Sequence, residues 1–184
     1  RFWNALGFLL LQGYGLTETS PVLTATRPGR IRIGSVGFPL KSVSLRLNPD
    51  REILVQGPNV FPGYYNNPQA TREVFEEGWF KTGDVGEIDG EGFLFIRGRK
   101  KDVIVTHDGI NVYPEDIEQV LVRHPGIKDA CVLGMGAHEE KVHAVLLLKP
   151  EAGDPRKIIQ EVNARIPPEQ QIESWSLWPQ DDFP

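Results

Sequence analysis

The pattern of this 184-residue chain changes at residues 97–116, and that change limits the fold more than any other feature. Upstream, over residues 34–96, short apolar runs are cut every few positions by glycine, proline or an Asn/Asp turn. Strands this short, punctuated this often, suggest a small distorted barrel or sandwich. Downstream the runs lengthen. Pro114, followed by Glu115 and Asp116, suits the first turn of a helix. Ile117, Val120 and Leu121 mark its apolar face, Arg123 and His124 its last turn, and Pro125-Gly126 its stop. Strands are expected over 127–134 and 142–148, then a helix over 155–165 with Ile158, Ile159 and Val162 inward. Helix–strand–strand–helix with short links makes a small two-layer α+β unit. The one cysteine, Cys131 in Ala-Cys-Val-Leu, is expected inside as a small hydrophobe.

Residues 97–116 carry a basic cluster (Arg97, Arg99, Lys100, Lys101), an apolar run and a turn. Lys100 reads as a solvated charge and Asp102 as a cap. At the other end, residues 2–6 suit the end of a helix broken by Gly7. Residues 8–11 have the continuous apolar pattern of a strand buried on both faces. That run enters Gln12-Gly-Tyr-Gly-Leu-Thr-Glu18. A buried strand ending in a glycine-flanked polar turn is a common ligand position, although two glycines also suit a plain turn. Tyr64, Tyr65, Trp79 and Phe80 read as core and loop packing. The four histidines, His107, His124, His138 and His143, lack zinc-ligand spacing. The net charge of −5 argues for no basic face toward nucleic acid or anionic membrane. No apolar run is long enough to span a bilayer, and no secretory leader opens the chain, so a cytoplasmic location is expected. Both ends read as cut through a larger protein. Phe2, Trp3 and residues 8–11 would then form an apolar patch, and self-association or segment exchange is expected.

Taken in order, Gly13-Tyr-Gly-Leu-Thr-Glu18, Thr82-Gly-Asp84, Gly98-Arg-Lys-Lys-Asp102 and Gly109-Ile-Asn-Val-Tyr-Pro-Glu-Asp-Ile-Glu118 resemble the adenylate-forming superfamily. The segment 52–67 is similar to its linking motif. The Lys-Lys-Asp and Asn-Val-Tyr-Pro forms look most like long-chain fatty-acid–CoA ligases. The resemblance implies a mixed α+β fold in four parts. Residues 1–33 would be the remnant of a large N-terminal nucleotide-binding domain and 34–98 a barrel-like subdomain. Residues 99–102 would be a hinge and 103–184 a mobile C-terminal domain. It implies activation of a carboxylic acid by ATP as acyl-AMP, then transfer to coenzyme A.

The site residues follow from the same resemblance. Tyr14, between Gly13 and Gly15, would pack against adenine, and Thr17 would donate to the α-phosphate. Glu18 would help hold Mg2+, and Asp84 would accept the ribose hydroxyls. Arg99 would meet ribose or phosphate. Lys101 would be the hinge residue and Gly109 would approach the pantetheine arm. The family's phosphate loop and most of its acyl pocket have no counterpart here, and the chain stops at Phe183-Pro184, before the expected catalytic lysine. Turnover by this chain alone is therefore not expected. Asp108 stands where glycine is commoner, and residues 137–141 form a shorter loop than is usual. Two rival readings remain: another acid-activating enzyme, such as an aryl-CoA ligase or a carrier-loading domain, and a non-catalytic nucleotide-binding or interaction module.

Overall fold

A computed structural model describes residues 2–136, 140–180 and 182–183. His138, most of the 137–141 loop and Pro184 lie outside the described residues. The chain divides into two compact units, Arg1–Lys100 and Lys101–Pro184.

The first unit opens with one helical turn, α1 (Phe2–Ala5), stopped at Gly7. Three short antiparallel strands follow, β1 (Gly13–Tyr14), β2 (Thr24–Ala25) and β3 (Phe38–Pro39). A larger antiparallel sheet is built from β4 (Ser44–Leu47), β5 (Glu52–Gln56), β6 (Phe75–Glu76), β7 (Trp79–Ile88) and β8 (Leu94–Arg99). Its order is β4-β5-β7-β6, with β8 on the free stretch of β7. This curled sheet is the barrel-like element expected for the region. A short helix, α2 (Pro68–Val74), leads into β6. Asn67 starts it by accepting from the Ala70 amide, and Pro68 supplies a first-turn residue with no amide to satisfy. Ile53, Val55, Phe80, Leu94, Leu23, Val36 and Val43 form the buried core of this unit.

The second unit begins with a two-stranded ribbon, β9 (Ile104–Val105) and β10 (Asn111–Val112). The helix α3 (Pro114–Leu121) follows, with Ile117 and Leu121 fully buried. β11 (Ile127–Met135) and β12 (Lys141–Leu148) pair antiparallel, and α4 (Pro155–Asn163) is capped by Asp154, which accepts from the Arg156 amide. A strand not anticipated, β13 (Ser174–Leu177), adds parallel to β12. The core joins α3, α4 and the inward positions of β11 and β12.

Several expectations are corrected. Residues 8–11 form no strand, and they are 59%, 57%, 56% and 48% exposed. Among the described residues they have no neighbouring strand, so their apolar character is left uncovered. Together with the exposed Phe2 and Trp3 they make a patch, but exposure alone does not support self-association. Cys131 faces out, because strand alternation turns Ala130 and Val132 inward on either side of it. Tyr65 is 93% exposed and packs into no core. Lys100 is paired rather than solvated, as described next.

Candidate functional site

The site is built around a break in β7. Leu54 pairs with Lys81 and Glu52 with Val85, so two residue steps on β5 face four on β7. Such a bulge bends a strand and re-aims its side chains. Gly83, at φ +73°, supplies the left-handed turn within it. Thr82 holds the bulge together: its Oγ1 donates to the Ile53 carbonyl (2.9 Å) and accepts from the Asp84 amide (3.1 Å). The result puts Asp84, only 5% exposed, beside the end of β8.

A buried carboxylate must be paired. Asp84 is met from two sides. The Tyr14 hydroxyl donates to Oδ2 at 2.6 Å, and Arg99 Nη1 lies 3.0 Å from Oδ1. The same Arg99 nitrogen donates to the Thr82 carbonyl at 3.2 Å. Burial first, and then the hydrogen bond to Asp84, pushes the Tyr14 phenol far above its ordinary range, so it stays a neutral donor. Tyr14 reaches this position because β1 runs close against the returning chain. A Cβ on Gly15 would lie 1.8 Å from the Pro21 carbonyl oxygen, so only glycine fits there.

Thr17 and Glu18 lie in the single 3-10 turn Thr17–Thr19 just after β1. The loop beyond β5 supports that turn. The Phe61 amide donates to the Glu18 carbonyl at 2.8 Å, and Asn59 Nδ2 donates to the Thr19 and Val22 carbonyls at 2.9 and 3.0 Å. The Tyr64 hydroxyl donates to Glu18 Oε1 at 3.0 Å. Burial, then that hydrogen bond, raises the Tyr64 phenol as well. Glu18, Thr82, Gly83 and Arg99 line one cleft of about 500 Å³, which Lys100 and Glu52 also border. Lys100 Nζ lies 2.9 Å from Oε2 of the buried Glu52 and 3.0 Å from Asp50 Oδ2.

Tyr14, Glu18, Asp84 and Arg99 are thus gathered in the first unit, Tyr14 and Arg99 on the Asp84 carboxylate and Glu18 on the cleft that Arg99 borders. Gly13 sits in β1, paired with Ala25, and Thr17 is exposed at the start of its turn. Lys101 and Gly109 belong to the second unit. Gly109 is exposed in the turn between β9 and β10, with φ +73°. Of four residues that organise the cleft, Thr82 was read from sequence only as part of the Thr-Gly-Asp motif and Tyr64 only as packing, while Asn59 and Glu52 were given no role of their own. Their partners lie 29 to 48 positions away, and no short motif records such contacts.

Comparison with known proteins fits this layout. The profile of the AMP-binding enzyme family matches residues 1–65, and that of the AMP-binding enzyme C-terminal domain matches residues 116–178. Long-chain-fatty-acid–CoA ligase FadD15 of Mycobacterium bovis is 45% identical over 152 residues, covering 83% of this chain and 25% of that protein. The 2-succinylbenzoate–CoA ligase of Listeria monocytogenes is 42% identical over 127 residues, covering 68% of this chain and 27% of that protein. The structure of O-succinylbenzoate coenzyme A synthetase from Bacillus subtilis in complex with AMP superposes with a TM-score of 0.87 at 31% identity. It covers all of this chain (100%) and 40% of the Bacillus chain. This chain therefore spans about a quarter of the length of the curated relatives it matches. With both profiles falling in order along it, and close identity to acid–CoA ligases across most of its length, the chain belongs to the AMP-binding enzyme family.

Proposed function

We propose that this chain is the C-terminal part of an acid–CoA ligase acting in the cytoplasm. The ligase joins a fatty acid to AMP at the expense of ATP and passes the acyl group to coenzyme A. The observation that carries this reading is the Asp84 carboxylate, buried yet held at both oxygens by Tyr14 and by Arg99, the second of which borders the cleft. A carboxylate fixed in this way still has a free lone pair on each oxygen, enough to accept the two hydroxyls of a ribose. The Tyr14 ring would lie against the base. Arg99, a permanent cation, would face ribose or phosphate, and Thr17 would donate to the α-phosphate.

Glu18 suits a metal that arrives with the nucleotide. Among the described residues no group of three or more acidic, His or Cys side chains is placed to hold a cation. Mg2+ needs no such cage, because polyphosphate and water supply most of its ligands. Bound there, it would neutralise charge on the phosphates. Glu18, oriented by Tyr64, would contribute one carboxylate oxygen. Lys101 at the start of the second unit would be the pivot residue, and Gly109 would let the backbone approach the pantetheine thiol arm.

A fatty acid is favoured by the Mycobacterium relative, and a second reading, an aromatic or dicarboxylic acid, by the Listeria relative. A substrate panel on the full-length ligase, from acetate to palmitate with 2-succinylbenzoate, separates them by pyrophosphate release. Asp84→Ala is expected to weaken ATP use about tenfold or more, the loss of charged hydrogen bonds. Absence of acyl-AMP with every acid overturns the reading. The 184-residue chain alone is expected to release no pyrophosphate, and release with ATP and palmitate would contradict that.

A further inference from the structure

Tyr14 has two faces in the proposed site, and the ring accounts for only one. A phenylalanine ring would lie against a base equally well. The hydroxyl instead goes to Asp84 Oδ2, at 2.6 Å. Among the described residues Arg99 alone holds the other oxygen, through one nitrogen that it shares with the Thr82 carbonyl. The outer torsion of an aspartate is broad and roughly two-fold, so a single shared contact would leave the carboxylate plane poorly defined. Two donors on opposite oxygens, one from β1 and one from β8, define it. Tyr14 is itself anchored: its carbonyl accepts from the Leu23 amide at 2.8 Å.

We infer that Tyr14 is a positioning residue whose hydroxyl sets the plane of the Asp84 carboxylate, and so the preference of the site for a nucleotide with both ribose hydroxyls. This rests on the reading that Asp84 accepts the ribose. The phenol is suited to the task because burial and the bond to Asp84 favour its protonated form, and a neutral donor does not repel the carboxylate. The rival explanation is that the bond only ties the β1 turn to the large sheet. That role would serve every nucleotide alike.

The test uses the full-length ligase and pyrophosphate exchange with ATP, 2′-deoxy-ATP and 3′-deoxy-ATP. For Tyr14→Phe, kcat/KM is expected to fall selectively for ATP, shrinking its advantage over both deoxy nucleotides by roughly fivefold or more, as suits loss of a charged hydrogen bond. An unchanged advantage, or an equal fall for all three, overturns the inference. Asp84→Ala runs in parallel. If it abolishes the advantage while Tyr14→Phe does not, the positioning role alone is lost; if it leaves the advantage intact, the ribose reading itself is wrong. A measurement on the native sequence covers poor folding of the variant. The Tyr14 hydroxyl proton is expected as a downfield, slowly exchanging NMR resonance that persists when AMP is bound. Its disappearance on AMP saturation would mean that ribose displaces the phenol, which also overturns the inference.

Discussion

Lys100 and Arg99 are neighbours in a run of basic residues, yet each answers to a different carboxylate. Arg99 meets Asp84, whereas Lys100 turns to Glu52 and Asp50. Glu52 is 5% exposed, and a buried charge stripped of its partner is costly. Lys100→Met is therefore expected to destabilise the chain by about 1–2 kcal/mol at neutral pH, the buried-pair cost discounted because the lysine is partly solvated. Urea unfolding checks it; Lys101→Met, at an exposed position, is expected to stay within about 0.5 kcal/mol of wild type. The hydrogen bonds to Glu52 and then Asp50 raise the Lys100 pKa above its ordinary 10.5. A raised pKa adds stability that is complete below the unfolded value and fades as pH climbs through the folded one. The gap between wild type and Lys100→Met should thus hold from neutral pH to about pH 10 and close above it. A gap that stays fully open in strong alkali, where the ammonium has lost its proton, would contradict the assignment. Lys100 could not be told from its solvated neighbours in the sequence, because its partner lies 48 positions back.

At the scale of elements, sequence reading succeeded where local chemistry decides and failed where pairing decides. The α3 and α4 starts were legible because Pro114 and Pro155 suit a first turn, and their buried faces follow from helical spacing. Residues 8–11 were misread because a buried-strand pattern says nothing about whether a partner strand is present. Cys131 was misread by parity, one position out of step with Ala130 and Val132. β13 was missed because Ser-Trp-Ser-Leu, although it alternates, is only four residues long and gains its order from β12. The candidate site divides the same way. The Thr-Gly-Asp motif pointed to Asp84, but the bulge that aims it is a property of the β5–β7 pairing. That makes Gly83 a test of the element. Gly83→Ala would force a Cβ into φ +73°, at about 1–2 kcal/mol, and a backbone shift that relieves the strain would disturb the adjoining Asp84. Lower stability together with weakened nucleotide binding is expected, by urea unfolding and by AMP titration of the full-length ligase. A stability loss with binding untouched would separate the bulge from the site.

For the whole molecule, the decisive feature is that the two cores share no residue. The apolar cluster of the first unit ends at Ile96, and that of the second begins at Ile104. The division falls between Lys100 and Lys101, inside the basic run where the sequence pattern changes. Among the described residues, internal hydrogen bonds fix the ends of the second unit's elements. α4 is capped by Asp154, and Asn163 exchanges two bonds with the backbone of Ile172, fixing the turn that delivers β13 to β12. A domain with its own core and satisfied links needs nothing from the rest of the chain in order to fold. Residues 101–184 expressed alone are therefore expected to give a dispersed amide NMR spectrum and a cooperative urea transition. The 184-residue chain should unfold in two steps, one of which matches that of the isolated piece. A collapsed spectrum for 101–184, or a single transition of the longer chain with all probes coincident, would mean that the second unit borrows stability from the first. A second unit that folds on its own core is what a hinge at Lys101 would require, since a pivot can turn only if the moving side does not depend on the other to stay folded.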